Sequence, residues 1–325
     1  MIYSEKRIAL GCNCIITLSF IETSNRLVEK LFQQLWLMIF LFEQNYSRFL
    51  PSSQLTIFNT KAGTKQRISE ELKALLLACQ KYSHLSNGIF NPFILPALEK
   101  VGYDHSLLPG FEKDNYPDHP NAQLLSFTNL EVYSNMAFIP KGSAIDLGGL
   151  GKGFLADKLA KFILKYKEQI NGFWISLGGD IHTYGTEDKN RPWKIYIEKD
   201  IFNKSLDLGY IESIKDKSLS IATSGVRYRG GVKNSKKWHH LIDPRTGLSA
   251  KTDLTSATVV SRLTIDCDVL ASCLVIESNL NNFEQINKKY RIKDALIQGR
   301  TSNKMKRENY YYKVIGKRIN INKND

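Results

Sequence analysis

The chain has 325 residues, 42 % of them hydrophobic, enough for a substantial core and near the upper edge of what one domain usually holds. Its formal charge of +13 admits nucleic acid, an anionic surface or a phosphate-bearing ligand as partner, yet Lys and Arg are scattered among acids with no long basic run and interleaved aromatics, which argues against nucleic acid. The strongest apolar run, Leu35 to Phe42, is too short for a transmembrane segment, and Glu5 and Lys6 stand where a signal peptide would enter its apolar core, so a soluble, cytoplasmic protein is expected.

In chain order, residues 7 to 20 (RIALGCNCIITLSF) read as an opening strand interrupted at Gly11. Its Cys12 and Cys14 share a face without the geometry to bridge readily, and the five cysteines show no metal-ligand spacing, which suits small apolar fillers in a reducing compartment. A helix is predicted from about Asn25 to Asn45, because Val28, Leu31, Phe32, Leu35, Ile39 and Phe42 recur at helical spacing. YSRFLPSSQLTIFN follows as a turn region closed by a short apolar segment. A second helix, SEELKALLLACQKYSHLSNG, has acids in its first turn and Asn87-Gly88 as its stop.

The stretch from Tyr103 to Asn121 is polar and reads as a surface loop. Strand candidates then appear at Leu124–Val132 and Ala137–Ile139, in FWISLGGDIHTYG, WKIYIEK, LDLGYIES and SLSIATSG, and finally in TSATVVS and DALIQG around a helix from Ile265 to Glu277. Strands and helices cluster without strict alternation, which predicts an α+β fold with a mixed or antiparallel sheet and packed helices. One large domain over 1–325 is expected, with room for a small subdomain within about 60–120.

IDLGGLGKGFLADKLAKFI, Ile145 to Ile163, crowds four glycines and Lys152 between Asp146 and a segment that is helical in pattern from Phe154. Backbone N–H groups at a helix N-terminus favour anions, glycine lets a ligand approach, and Lys152 adds a charge. It is not a Walker A loop, since Gly153 follows the lysine. A phosphate site and a structural turn both remain open on this stretch alone. SLGGDI, ATSG and HHLIDPRTG add further turns that end strands. Asp268 and Ser272, at i and i+4, share a helix face and offer the hard oxygens that suit Mg²⁺.

The ordered set SRFLPSSQLTIFN, GIFNPF, DLGGLGKGFLADKLA, SLGGDI, ATSG, HHLIDPRTG and SATVV…DCDVLASCLV resembles the ApbE family of flavin transferases, from about residue 8 to about 300. The resemblance implies an ApbE-like, T-fold-like single domain. It also implies Mg²⁺-dependent transfer of FMN from FAD to a Thr or Ser hydroxyl of an acceptor protein, with AMP released. By matching position, it implies that Leu10, Phe49, Ile89, Phe90, Asn91, Asp146, Lys152 and Ile242 contact FAD, that Gly149, Asp268 and Ser272 bind the metal, and that His240 takes the acceptor's proton. An FAD pyrophosphatase or a non-catalytic FAD-binding protein would use the same residues.

Several positions depart from the family's pattern: Ser272 stands for Thr, Asn91 for Asp, Phe49 for Tyr and Cys12 for Thr, and Val226-Arg227 follows TSG. Thr255 to Thr258 (TSAT) is similar to the family's acceptor sites, although its plain reading is the start of a strand.

Overall fold

The computed structural model describes residues 1–104, 126–199, 206–279, 281–302 and 308–322. Most of the expected Tyr103–Asn121 loop, and the start of the Leu124–Val132 strand candidate, lie outside the described residues.

The first part of the chain forms β1 (Ile2–Ala9), β2 (Cys12–Phe20), α1 (Asn25–Tyr46), α2 (Gln54–Thr60), β3 (Gln66–Arg67), α3 (Glu70–Leu85), α4 (Leu95–Val101), β4 (Glu131–Tyr133) and β5 (Met136–Phe138). Next come α5 (Gly151–Ile163), β6 (Ile170–Leu177), β7 (Asp180–Gly185), β8 (Lys194–Glu198), β9 (Asp207–Glu212) and β10 (Ser218–Gly225). The remainder forms β11 (Gly230–Lys233), β12 (Lys236–His239), β13 (Ile242–Asp243), β14 (Leu248–Ser249), β15 (Leu254–Ser261), α6 (Thr264–Glu277), α7 (Phe283–Tyr290), β16 (Asp294–Ser302), β17 (Glu308–Ile315) and β18 (Asn320–Ile321). The fold is α+β, as the clustered pattern predicts.

Two compact units share the chain. The first comprises Met1–Ile39, Lys152–Gly225 and Thr252–Asp325; the second comprises Phe40–Gly151 and Val226–Lys251.

The first unit is built on an eight-stranded sheet of order β1-β2-β6-β7-β10-β15-β16-β17, in which every neighbouring pair is antiparallel. β2 shows why it lies inside that sheet: Cys14, Ile16, Leu18 and Phe20 alternate onto one face and are fully buried. The single strand expected over residues 7 to 20 is two strands, because Leu10 (φ 55) and Gly11 (φ 71) reverse the chain in a two-residue turn with positive φ at both positions. β18, β9 and β8 form a separate three-stranded sheet.

α6 packs on β7, β10 and β15, and nearly its whole circumference is buried, including Cys267, Val269, Ala271, Cys273, Leu274 and Val275. Such a helix is held by the core rather than by amphipathicity, at about 1.5–3 kcal/mol for each large side chain removed from water. Thr258 in β15 is fully buried, and its hydroxyl bonds to that of Thr223 at 2.9 Å, so TSAT is sheet interior rather than an exposed acceptor segment.

In the second unit, Ser69 caps α3 by accepting from the Leu72 N–H at 3.2 Å, and the helix stops where Asn87 and Gly88 take positive φ. The apolar segment after YSRFLP is the short helix α2, started by Ser53, whose side chain accepts from the Thr56 N–H at 3.1 Å. β3, β5 and β4 form a small antiparallel sheet, and among the described residues of the Leu124–Val132 candidate Glu131 and Val132 are strand, preceded by a 3-10 turn at Phe127–Asn129. Among the described residues, no helix is long and apolar enough to cross a membrane.

Candidate functional site

The sequence-predicted residues are divided between the two units. In the first unit, α5 begins at Gly151, three residues before the helical pattern becomes visible, so Lys152 and Gly153 lie inside its first turn. The Gly153 N–H donates to Asp268 Oδ2 at 3.2 Å, placing that carboxylate at a helix N-terminus where the dipole favours negative charge. A side chain at residue 153 is sterically barred: a Cβ there would stand 2.6 Å from Ile265 Cα and 2.9 Å from the Thr264 carbonyl oxygen. The glycine is therefore a point of close approach between α5 and α6.

Lys152 bridges two carboxylates. Its ammonium forms an ion pair with Asp180, at the start of β7, and lies 3.7 Å from Asp268 Oδ2. Both acids are only 4 % exposed. One turn further along α6, the Ser272 hydroxyl bonds to the Ser224 hydroxyl at the end of β10, at 2.8 Å. Cys12 lies against Gly178 in the β6–β7 turn, its Sγ 3.9 Å from that of Cys14, with no disulfide between them.

The N-terminus of α6 has no cap of its own. Asp157 of α5 supplies one: its carboxylate accepts from the Thr264 N–H at 2.8 Å and the Ile265 N–H at 3.1 Å, and its Oδ1 lies 2.9 Å from His182 Nδ1. His182 is buried, with Thr264 and Ser220 hydroxyls at 3.1 and 3.2 Å from the same nitrogen. Burial, reinforced by nearby Asp266, Asp157 and Asp180, pushes the Cys267 thiol far above its usual range and keeps it protonated.

In the second unit, Asp146 is held on several sides. Arg48 Nε lies 3.0 Å from its Oδ2, both side chains at most 10 % exposed; the Gly148 N–H donates to its Oδ1 at 2.7 Å; and its own N–H donates to the Pro92 carbonyl at 2.8 Å. The preceding residue is clasped by Asn59, whose Nδ2 donates to the Ile145 carbonyl at 2.8 Å while its Oδ1 accepts from the Ile145 N–H at 2.9 Å. The Arg48 guanidinium also covers the rings of Phe49 and Tyr103, at 4.1 and 4.6 Å from their centroids. Gly149 lies against Phe90, whose ring stands 3.4 Å from a Cβ built at that glycine. Asn91 Oδ1 accepts from the Phe93 N–H at 3.0 Å, a capping task that Asp performs equally well, so the departure at this position leaves the turn intact. Ile89 and Ile242 are buried, the latter with Ala97 and Leu98.

His240 follows the β11–β12 hairpin. Its Nδ1 lies 3.2 Å from the Arg229 carbonyl, which can only accept, so Nδ1 carries a proton and in the neutral ring the lone pair belongs to Nε2. Neighbouring His239 has Nε2 at 3.0 Å from the Ala250 carbonyl, and burial depresses its pKa below the ordinary 6.5. In the DPRTG turn, a two-bonded ion pair to Arg245, at 2.8 Å for each contact, holds the Asp243 carboxyl below its usual range.

The structure thus joins Lys152 to Asp268, with Ser272 one turn further along α6, in the first unit, and Phe90 to Gly149, and Arg48 to Asp146 and Phe49, in the second. Asp157, Asn59 and Arg48 were not singled out by the sequence. Arg48 carried a local signal, adjacency to Phe49 in SRF, whereas Asn59 and Asp157 act on segments 86 and 107 residues away.

The donor set fits Mg²⁺. Asp180 and Asp268 are buried carboxylates beside the Lys152 ammonium, and Ser272 adds a hard hydroxyl oxygen. No three His, Cys, Asp or Glu side chains form a ready cage among the described residues, but Mg²⁺ is commonly held by one or two carboxylates together with substrate phosphates.

The sequence profile of the ApbE family matches residues 10–296. The chain belongs to the ApbE family. Relatives named FAD:protein FMN transferase include those of Klebsiella pneumoniae, 26 % identical over 228 residues (68 % of this chain and 67 % of that one), and Treponema pallidum, 27 % over 240 residues (69 % and 65 %). These alignments span about two thirds of each relative's length. The ApbE fold recurs in the crystal structure of the ApbE protein of Thermotoga maritima, with a TM-score of 0.77 and 21 % identity over 91 % of this chain and 94 % of that one. It recurs also in the apo form of the Pseudomonas stutzeri flavinyl transferase ApbE, with a TM-score of 0.77 and 17 % identity over 97 % and 95 %.

Proposed function

We propose that this ApbE chain is a flavin transferase that moves FMN from FAD to a Thr or Ser hydroxyl of an acceptor protein, with Mg²⁺, releasing AMP. The observation that carries the reading is the Lys152, Asp180 and Asp268 cluster on the N-terminus of α5, in a chain whose named relatives are FAD:protein FMN transferases.

In the reaction, the acceptor oxygen forms a bond to the FMN phosphorus, the bond from that phosphorus to the bridging oxygen breaks, and AMP departs with the bridging oxygen. His240 Nε2, the nitrogen carrying the lone pair, takes the hydroxyl proton. Lys152 supplies a cation to the pyrophosphate, exchanging part of its pairing with Asp180 and Asp268 for substrate oxygens. Asp268, Ser272 and the Gly149 carbonyl would hold Mg²⁺, which would neutralise charge on the departing phosphate. Arg48 pairs with the Asp146 carboxylate and orients it toward FAD, while Leu10, Phe49, Ile89, Phe90, Asn91 and Ile242 supply the nucleotide's remaining contacts.

Incubation of the purified chain with FAD, Mg²⁺ and synthetic Thr- and Ser-bearing peptides tests this reading. AMP together with a peptide heavier by the FMN mass is the expected result. AMP with free FMN would identify a pyrophosphatase, and FAD recovered intact would overturn the proposal.

A further inference from the structure

Between Val226 and His240 the sequence VRYRGGVKNSKKWHH contains five Lys or Arg and no acid. β11 and β12 make this a hairpin, and Asn234 (φ 50) and Ser235 (φ 61) close it with the positive φ pair of a tight two-residue turn, so its strands are fixed in register. Its seat is also fixed. Lys233 donates to the Glu99 and Lys100 carbonyls at the end of α4, at 3.2 Å each, and the Trp238 ring stacks on Tyr103 with centroids 6.0 Å apart and planes at 25°.

Three of the other basic groups reach solvent. Lys236 and Lys237 are exposed and Arg229 half-exposed, and among the described residues no carboxylate forms an ion pair with any of the three. Lys233 and Lys236 stand directly opposite each other across the strands, a like-charge pairing that disfavours the isolated hairpin and that an anion would relieve. Tyr228, 77 % exposed, and Val232, 67 % exposed, add apolar surface beside the charge.

The hairpin runs directly into His240, whose N–H donates to the Arg229 carbonyl at 3.0 Å. Lys237 is three residues away, about 10 Å along an extended strand. An extended peptide with its hydroxyl at His240 would therefore bring residues about three positions away alongside Lys237, with Lys236 nearer the hairpin tip on the opposite strand face.

We propose that this hairpin is the docking surface for an acidic segment of the acceptor protein, with Asp or Glu side chains flanking the modified hydroxyl. This rests on the transferase reading above, and a protein segment is favoured over a lipid surface because the charges are spaced along a strand that leads to the proposed base.

The test uses fluorescence anisotropy of the full chain with labelled Thr peptides whose flanks are acidic, neutral or basic. The acidic peptide should bind at least about tenfold tighter than the neutral one and lose that advantage in high salt. Lys236→Glu/Lys237→Glu should abolish the preference, and Lys236→Gln/Lys237→Gln, which removes charge without reversing it, should reduce it by an intermediate factor with circular dichroism unchanged. Equal binding of the three peptides, or a preference untouched by both double variants, would overturn the proposal. So would tighter, variant-sensitive binding to phosphatidylserine vesicles than to the acidic peptide. Addition of the FMN mass to the neutral Thr peptide, measured in parallel at saturating peptide, reports on the transferase reading independently of the charge preference, which separates the two ideas.

Discussion

The Gly153 N–H donates to the Asp268 carboxylate across 115 residues of sequence, joining the first turn of α5 to the middle of α6 at 3.2 Å. That one bond explains why a glycine-rich turn and a distant helical acid act as one feature. It requires the backbones to touch, and they touch because residue 153 lacks a side chain.

Gly153→Ala should force α5 from α6, since the added methyl meets backbone rather than a movable side chain. A loss of about 1–3 kcal/mol in unfolding free energy is expected, read as a lower urea midpoint, with FAD turnover falling further than stability alone explains.

Asp268→Asn should lower Mg²⁺-dependent AMP formation by about 100-fold and leave the urea midpoint near that of the parent, because the change is nearly isosteric. An active variant would show that the metal is held elsewhere.

Asp157→Ala should destabilise by about 1–3 kcal/mol, because it leaves the Thr264 and Ile265 N–H groups and buried His182 without a shared acceptor. Hydrogen exchange would locate the effect: the first turn of α6 should lose protection ahead of β10 and β15.

His239 provides a pH signature. Its folded pKa is depressed, so below about pH 6.5 the unfolded chain binds the proton more readily than the folded one. Its contribution is complete above that pH and declines as pH falls toward the folded value. Denaturation midpoints of the parent and His239→Gln should therefore show a difference that changes as pH falls through this window and stays constant above pH 7.

His240→Ala should reduce FMN transfer by about 10²–10⁴-fold while FAD affinity, measured by flavin fluorescence, stays close to that of the parent. Loss of affinity instead would make His240 a ligand contact.

Much of this was legible in the sequence, for identifiable reasons. The helical period of α1 and the start and stop signals of α3 are local, so they survive without tertiary information. The α+β class followed from the clustering of strands, and Asp268 with Ser272 from the i, i+4 geometry of one helix. The hairpin at Leu10-Gly11 looks in sequence like an interrupted strand, because a leucine with positive φ has no compositional signature. α5 began earlier than its pattern because Gly151 and Gly153 are poor helix formers that tertiary contact holds in the helix. Asp157 carries no sequence signal, because a carboxylate that caps another helix looks, in sequence, like any exposed helical acid.

Asn59 gives the Asp146 segment an unusual vulnerability. Its carboxamide completes a one-residue ladder, donating through nitrogen and accepting through oxygen, so correct assembly depends on a single –NH₂ group. Hydrolysis of that amide would keep the shape of the side chain but set a carboxylate against the Ile145 carbonyl, turning attraction into repulsion. Chemical ageing at one buried nitrogen would thus be enough to loosen the residue next to Asp146 without altering a carbon atom of the protein.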